Sequence, residues 1–135
     1  MTETVFIDTN IPIYAAGWAH PFKQPSLAFL QRIALGEMEG VSDSEVLQEI
    51  LYRFAAINEP QHGFAIFDNF IKSVPSILPV EKEDVMLARE ILMKSPGIKP
   101  RDAIHAAVMK NNDIRVIYSY DTHFDRIKGI NRKKP

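Results

Sequence analysis

"VFIDTNI", residues 5–11, is the stretch on which the reading of this chain turns. Three apolar residues run straight into Asp8, and Thr9 and Asn10 follow. A short apolar run without alternation suits a strand covered on both faces. Ending such a strand on a carboxylate is expensive, because burying an unpaired charge costs several kcal/mol. Either a partner compensates Asp8, or Asp8 stands at an open strand end.

The segments further along alternate in kind. Residues 26–35 (SLAFLQRIAL) have helical period, with Ser26 as a plausible cap and Gly36 as a stop. EGVSDS (39–44) allows a short strand, and residues 44–57 and 62–74 read as amphipathic helices. Residues 76–80 read as a strand, and 82–95 and 99–112 as helices, the latter with Pro100 at its start. RVIYSYD (115–121) reads as a strand and THFDRIKG (122–129) as a short last helix. Strands separated by one or two helices imply a parallel sheet covered on both faces. No repeat, low-complexity run or linker interrupts the pattern, so residues 1–135 are read as one α/β domain, a three-layer α/β/α sandwich.

Composition narrows the chemistry. The chain has 135 residues, 46% of them hydrophobic, with a net charge of -1 and no cysteine. Thiolate nucleophiles, zinc–thiolate sites and disulfides are excluded, and a reducing cytoplasm fits. Residues 1–4 carry no basic leader, and no apolar run reaches membrane-spanning length. The last ten residues, RIKGINRKKP, hold five of the sixteen Lys and Arg and no acid. They read either as a solvated, partly frayed end or as a phosphate-contacting patch built on Arg126, Lys128, Arg132, Lys133 and Lys134.

Parallel sheets carry function at the carboxyl ends of their strands. Asp8 follows the first strand and Asp121 the last, so both fall on one sheet edge. Each taken alone also suits a helix cap. Asp102 lies in the first turn of its helix, where the dipole favours an acid. That helix also has Ala103, Ala106 and Ala107, which permit close packing and turn a short acidic side chain inward. His105 shares a face with Asp102, Ala106 and Met109 and reads as a packing or hydrogen-bonding residue rather than a ligand or base. On the helix 44–57, Glu49 falls roughly 130° from the centre of the apolar face and Glu45 roughly 170°. Glu49 therefore borders the buried stripe, or else pairs on the surface with Arg53, and Glu45 points to solvent.

Four acids can then converge: Asp8, Glu49, Asp102 and Asp121. Like charges so placed must protonate or be neutralised by cations. An all-oxygen donor set favours hard ions such as Mg²⁺ or Mn²⁺, and such ions suit phosphoryl chemistry.

FIDTN, EVLQEILYRF, RDAIHAA and IYSYDTHFDRIKGI, in that order, resemble the PIN-domain ribonucleases, in particular the VapC-type toxins of toxin–antitoxin pairs. The likeness runs from residue 5 to about residue 130. It implies a metal-dependent endoribonuclease whose acidic quartet is Asp8, Glu49, Asp102 and Asp121, supported by Asn10 and Ser119. Asp125 resembles an extra acid of some members. The resemblance further implies an RNA substrate, Mg²⁺ or Mn²⁺, a homodimer, silencing by a cognate antitoxin, and products with 5′-phosphate and 3′-hydroxyl ends. The dimer is expected through FLQRIAL and GFAIFDNFI. GWAHPFKQPS (17–26) matches no motif of that family and reads as a partner or substrate surface or a lid over the core.

Two other readings stay open. A haloacid-dehalogenase-like phosphatase also places an Asp after its first strand, and DTHFD imitates its last motif, but Asn10 stands where its second Asp belongs. A PIN-like scaffold with an inert site would bind RNA or protein without cutting.

Overall fold

The computed structural model describes residues 2–135. Its five strands are β1 (Thr4–Ile7), β2 (Glu39–Asp43), β3 (Ser76–Leu78), β4 (Val116–Tyr118) and β5 (Asn131–Lys133). Its helices are α1 (Asn10–Ala16), α2 (Lys23–Ala34), α3 (Ser44–Ala56), α4 (Pro60–Ser73), α5 (Lys82–Lys94) and α6 (Pro100–Asn111), followed by a 3₁₀ turn over Thr122–Arg126. The sheet order is β3-β2-β1-β4-β5 and every pairing is parallel. The expected α/β sandwich around a parallel sheet is therefore the observed architecture.

The order fixes where the site lies. From β1 the chain moves outward to β2 and β3, then crosses back to β4 on the other side of β1. Right-handed crossovers put the helices of an outward run on one face and those of the return on the other. Accordingly α1, α2 and α4 touch one another and α4 touches α3, while α5 packs on α6. The direction reverses between β1 and β4, and ligands of open α/β sheets bind at such a point, outside the carboxyl ends of the strands.

Burial explains the apolar run. Val5, Phe6 and Ile7 of the central strand are fully buried, as is Ile117 on β4. The alanines of α6 do what small residues allow: Ala103, Ala106 and Ala107 are fully buried, so the helix sits close against the sheet. Asp84 fixes its partner helix. It closes a capping box with Glu81 at the start of α5, and Asn111 Nδ2 of α6 donates to its Oδ1 at 2.8 Å.

Several expectations need correction. Ser26 does not cap α2, which begins at Lys23; it is buried inside the helix, and its hydroxyl donates to the Tyr120 hydroxyl at 3.3 Å. α1 was not anticipated, because a seven-residue segment containing Pro12 shows too little period. The basic tail is not frayed over residues 131–133. They form the edge strand β5, with Ser119 N donating to Lys133 O at 3.0 Å and Asn131 N to Arg115 O at 2.8 Å. Three polar residues on an exposed edge carry no hydrophobic signal.

Gly63 sets the approach of α4 to α3, because a Cβ there would stand 2.7 Å from Phe54 Cβ. Replacing glycine by alanine inside a helix ordinarily gains about 1 kcal/mol. Here the contact is with the root of a side chain, which cannot swing away. Gly63→Ala is expected to destabilise by about 1–3 kcal/mol despite the propensity gain. Urea unfolding of both proteins checks this, and a stabilised variant would refute the close approach.

Candidate active site

Asp8 continues β1, with its amide donating to Tyr118 O at 3.1 Å. Its carboxylate is buried and held from three sides. Thr9 N donates to Oδ1 at 2.8 Å, and Ser119 Oγ at 2.5 Å and Asn10 Nδ2 at 3.2 Å donate to Oδ2. Ser119 Oγ also accepts from Asp121 N at 3.0 Å, so one hydroxyl sets both strand-end acids. Asn10 adds a second brace, its Oδ1 accepting from Tyr120 N at 3.4 Å. Asn10 and Ser119 thus brace Asp8 through hydrogen bonds to its Oδ2.

Glu49 arrives from α3 through a histidine. Its Oε1 lies 2.7 Å from His105 Nε2, and His105 Nδ1 lies 2.8 Å from Asp43 Oδ2. Asp43 is fully buried, and its Oδ1 accepts from Val46 N at 3.0 Å, capping α3. Ionised carboxylates only accept, so both ring nitrogens of His105 must donate. Burial alone would push the His105 pKa down, but the charge and hydrogen bond of Asp43, with Glu49 and Asp8 beside it, hold it well above the usual value. Asp8 Oδ1 is 3.9 Å from Nε2. The site therefore contains a buried cation supplied by the chain itself.

The carboxylates respond to this arrangement differently. For Asp102, burial comes first, then the charges of Asp8 and Asp121, and together they push it up to about 7. Burial also raises Asp8, although His105 and Ser119 oppose it. Burial would raise Glu49 too, but its bond to His105 outweighs this and leaves it low. Asp121 is lowered against its own burial by His123, whose N and Nδ1 lie 2.9 and 2.7 Å from Asp121 Oδ1.

Glu45 does not simply face solvent. It is half-buried, and burial and the neighbouring Glu49 raise its pKa. Glu49 forms its pair with His105 rather than with Arg53. Asp125 does not join the acids: Arg132 Nε and Nη2 donate to its two oxygens at 2.9 and 3.1 Å, while Nη1 donates to Ser119 O at 3.1 Å. Most of the Arg132 guanidinium is thereby committed inside the fold. Lys133 ends β5 and Lys134 follows it, but Lys133 Nζ turns back to lie 3.8 Å from Glu3, ahead of β1. Lys128 precedes β5, toward the opposite edge, and its carbonyl accepts from Lys110. Arg126 is exposed. The basic tail is thus divided between two ends of the sheet.

Sequence reasoning missed Asp43, the anchor of His105. An Asp directly before an amphipathic helix was a legible capping signal, but nothing local linked it to a histidine sixty-two residues away.

A hard divalent ion fits the chemistry of this edge. The donors are carboxylate oxygens, and among the described residues the buried side-chain polar atoms without a hydrogen-bond partner are Thr9 Oγ1 and Asp102 Oδ2. Asp102 in particular is an acid crowded by like charges with one oxygen unused. Among the described residues, no three acids or histidines are gathered closely enough to enclose an ion as they stand. Glu49 is held by His105, and Asp8 by its three donors.

A model of the PIN domain matches residues 5–130. The chain is similar to a VapC ribonuclease of Mycobacterium bovis and to ribonuclease VapC13 of Mycobacterium tuberculosis. Each is 39% identical over 128 residues, covering 95% of this chain and 98% of the relative. Its fold resembles that of VapBC2 from Rickettsia felis bound to a DNA fragment from the promoter, with a TM-score of 0.77 at 19% identity over 97% of this chain and 98% of that one. It likewise resembles FitAcB from Neisseria gonorrhoeae, with a TM-score of 0.75 at 15% identity over 97% of both chains.

The raised pKa of Asp102 has a measurable consequence. The folded state holds that proton more tightly than the unfolded chain, so the stability it contributes is present below the ordinary carboxylate value and lost as pH rises to about 7. Asp102→Asn removes the crowding charge. In EDTA at pH 8 the variant is expected to melt roughly 3 °C or more above the wild type, with the gap closing toward pH 4. A gap that does not change with pH would dismiss the charge-crowding account.

Proposed function

The chain belongs to the PIN-domain family, and from that premise we propose that it is an endoribonuclease, the VapC-type toxin of a toxin–antitoxin pair, hydrolysing RNA phosphodiester bonds. The observation that carries this reading is the meeting of Asp8, Glu49, Asp102 and Asp121 around the reversal point of the sheet. The similarity to named VapC ribonucleases along nearly the whole chain supports the same activity. The phosphatase alternative finds no support in a chain that matches the PIN-domain model over residues 5–130. A cognate antitoxin is the proposed partner, in keeping with VapBC complexes among the structural neighbours. No helix among the described residues is long and apolar enough to cross a membrane, and the proposed location is the cytoplasm. We also propose a homodimer; Leu35 beyond α2 and Phe64 and Ile71 on α4 leave apolar surface exposed there.

Asp8, Asp102 and Asp121, with Glu49 directly or through water, would hold the divalent ion, Mg²⁺ or Mn²⁺. Such an ion supplies a Lewis acid for the scissile phosphate and makes water more acidic. The chain's own groups do the positioning. Thr9 N, Ser119 and Asn10 fix both oxygens of Asp8. His105 fixes Glu49, whose second oxygen is left to orient the attacking water and take its proton. The water oxygen would form a bond to phosphorus as the bond to the 3′ oxygen breaks and that oxygen takes a proton from solvent water, leaving 5′-phosphate and 3′-hydroxyl ends. Lys134, just beyond the carboxyl end of β5, is the proposed contact to RNA backbone.

Two glutamates on α3 discriminate the mechanism. Glu49→Gln keeps shape and one hydrogen bond to His105 but removes the charge; cleavage of RNA is expected to fall about 100-fold or more. Glu45→Gln should leave the rate within about threefold of wild type. Circular dichroism confirms that both fold. If Glu45→Gln is dead and Glu49→Gln cuts normally, the assignment of Glu49 is wrong. An inert scaffold would show no cleavage by the wild type at any Mn²⁺ concentration.

A further inference from the structure

The loop between α1 and α2, residues 17–22, is not explained by the acidic site, yet it is built against it. Tyr120 lies between Ser119 and Asp121, and its ring stacks on Phe22 with centroids 3.9 Å apart and planes 4° apart. Tyr14 of α1 meets both rings edge-on, at 5.3 Å from Phe22 and 5.5 Å from Tyr120. His20 packs 4.6 Å from Tyr14 and 4.9 Å from Phe22. Polar ties complete the anchoring. Lys23 Nζ donates to Gly17 O at 2.7 Å, Phe22 N donates to His20 Nδ1 at 3.0 Å, and the Tyr120 hydroxyl reaches Phe22 O at 3.5 Å. Gly17 admits the turn, since a Cβ would stand 2.9 Å from Ile13 O. The loop is therefore held at both ends and in its middle, beside two residues of the catalytic edge.

At its crest stands Trp18, 88% exposed and the most exposed large apolar side chain among the described residues. It buries little, so it contributes little to folding, yet the loop that carries it is anchored by four rings. Trp18 is two residues from His20, so its Cα lies within about 8 Å of an anchored position. An exposed indole on an anchored loop that packs against Tyr120, between Ser119 and Asp121, matches what single-stranded nucleic acids use, namely an aromatic face for a base to stack on.

We propose that the 17–22 loop is a nucleobase subsite of the RNA site, with Trp18 as its stacking face and the Tyr14, His20, Phe22 and Tyr120 rings as its mount. This rests on the ribonuclease reading and goes beyond it, to a requirement for an unpaired base near the cut. Stacking needs a base that is free of its helix, so single-stranded or looped RNA is the substrate class. A protein partner on Trp18 is the competing occupant.

Trp18 is the one tryptophan of the chain, which makes its emission a direct reporter. A single-stranded mixed-sequence RNA 12-mer, titrated with Mn²⁺ into the slow Glu49→Gln protein, should quench that emission. The same oligomer with abasic residues should quench it much less. In an otherwise wild-type background, Trp18→Ala should lower kcat/KM on the 12-mer about tenfold, mainly through KM, since stacking loss spans roughly 5- to 100-fold. Trp18→Phe should recover part of the loss, and the melting temperature should not move in either variant. Equal quenching by the abasic oligomer, or wild-type kcat/KM in Trp18→Ala, overturns the subsite even where RNA is cut. So does a Trp18→Ala variant that cuts normally but escapes inhibition by its antitoxin, which would assign the loop to the partner. Absence of cleavage by the wild type, with base-dependent quenching intact, would instead overturn the ribonuclease reading and leave Trp18 as an RNA contact.

Discussion

The arrangement hinges on one buried side chain, His105. Its two nitrogens join Asp43, at the end of β2, to Glu49, one helical turn and a half into α3, and its ring belongs to α6 on the far layer. One imidazole thus ties the two helical layers together at the edge where β1 and β4 separate. Because Asp43 also caps α3, the start of that helix, the orientation of Glu49 and the depth of α6 are set by a single chain of hydrogen bonds. Such a chain is strong when every member is satisfied and costly when one is lost, since the remaining charge stays buried.

The same arrangement explains how so many acids are tolerated. Asp8, Asp43 and Glu49 surround a cation that the sequence itself provides, and backbone or hydroxyl donors satisfy the oxygens His105 does not reach. For Asp102 the pull of His105 is outweighed by burial and by the charges of Asp8 and Asp121, and its pKa of about 7 records the imbalance. Folding has placed more carboxylates at this edge than His105 can neutralise. A site with that property is less stable without a counterion than an apolar one would be, and its electrostatics favour the arrival of an external cation. The strain is local: the apolar strands, the alanine face of α6 and the capping box of α5 hold the edge open.

How much of this could be read from residues alone differs from element to element. The apolar run of β1, the periodic helices α3 to α6 and the strand before Asp121 are set by local pattern, and so is the fold class, because alternation admits few topologies. Asp8 and Asp121 followed as strand-end acids. Glu49 followed from its angle on the wheel, although Glu45 is more buried than that angle allowed. α1 and β5 are too short and too polar or interrupted to carry a period, and the tail's charge suggested a solvated end where the sheet instead gains an edge.

By itself, then, the sequence determined the parallel sheet and its covering helices and singled out the acids as candidates, because each is written in spacing over a few residues. The tertiary structure alone decided which partners those acids have. Asp43 with His105, Ser119 with Asp8, Arg132 with Asp125 and Phe22 with Tyr120 are between seven and 111 residues apart. Contacts at such separations depend on strand order and on how closely helices pack. Ionisation follows the same rule, since burial and neighbouring charge, not residue type, separate Asp102 from Asp121.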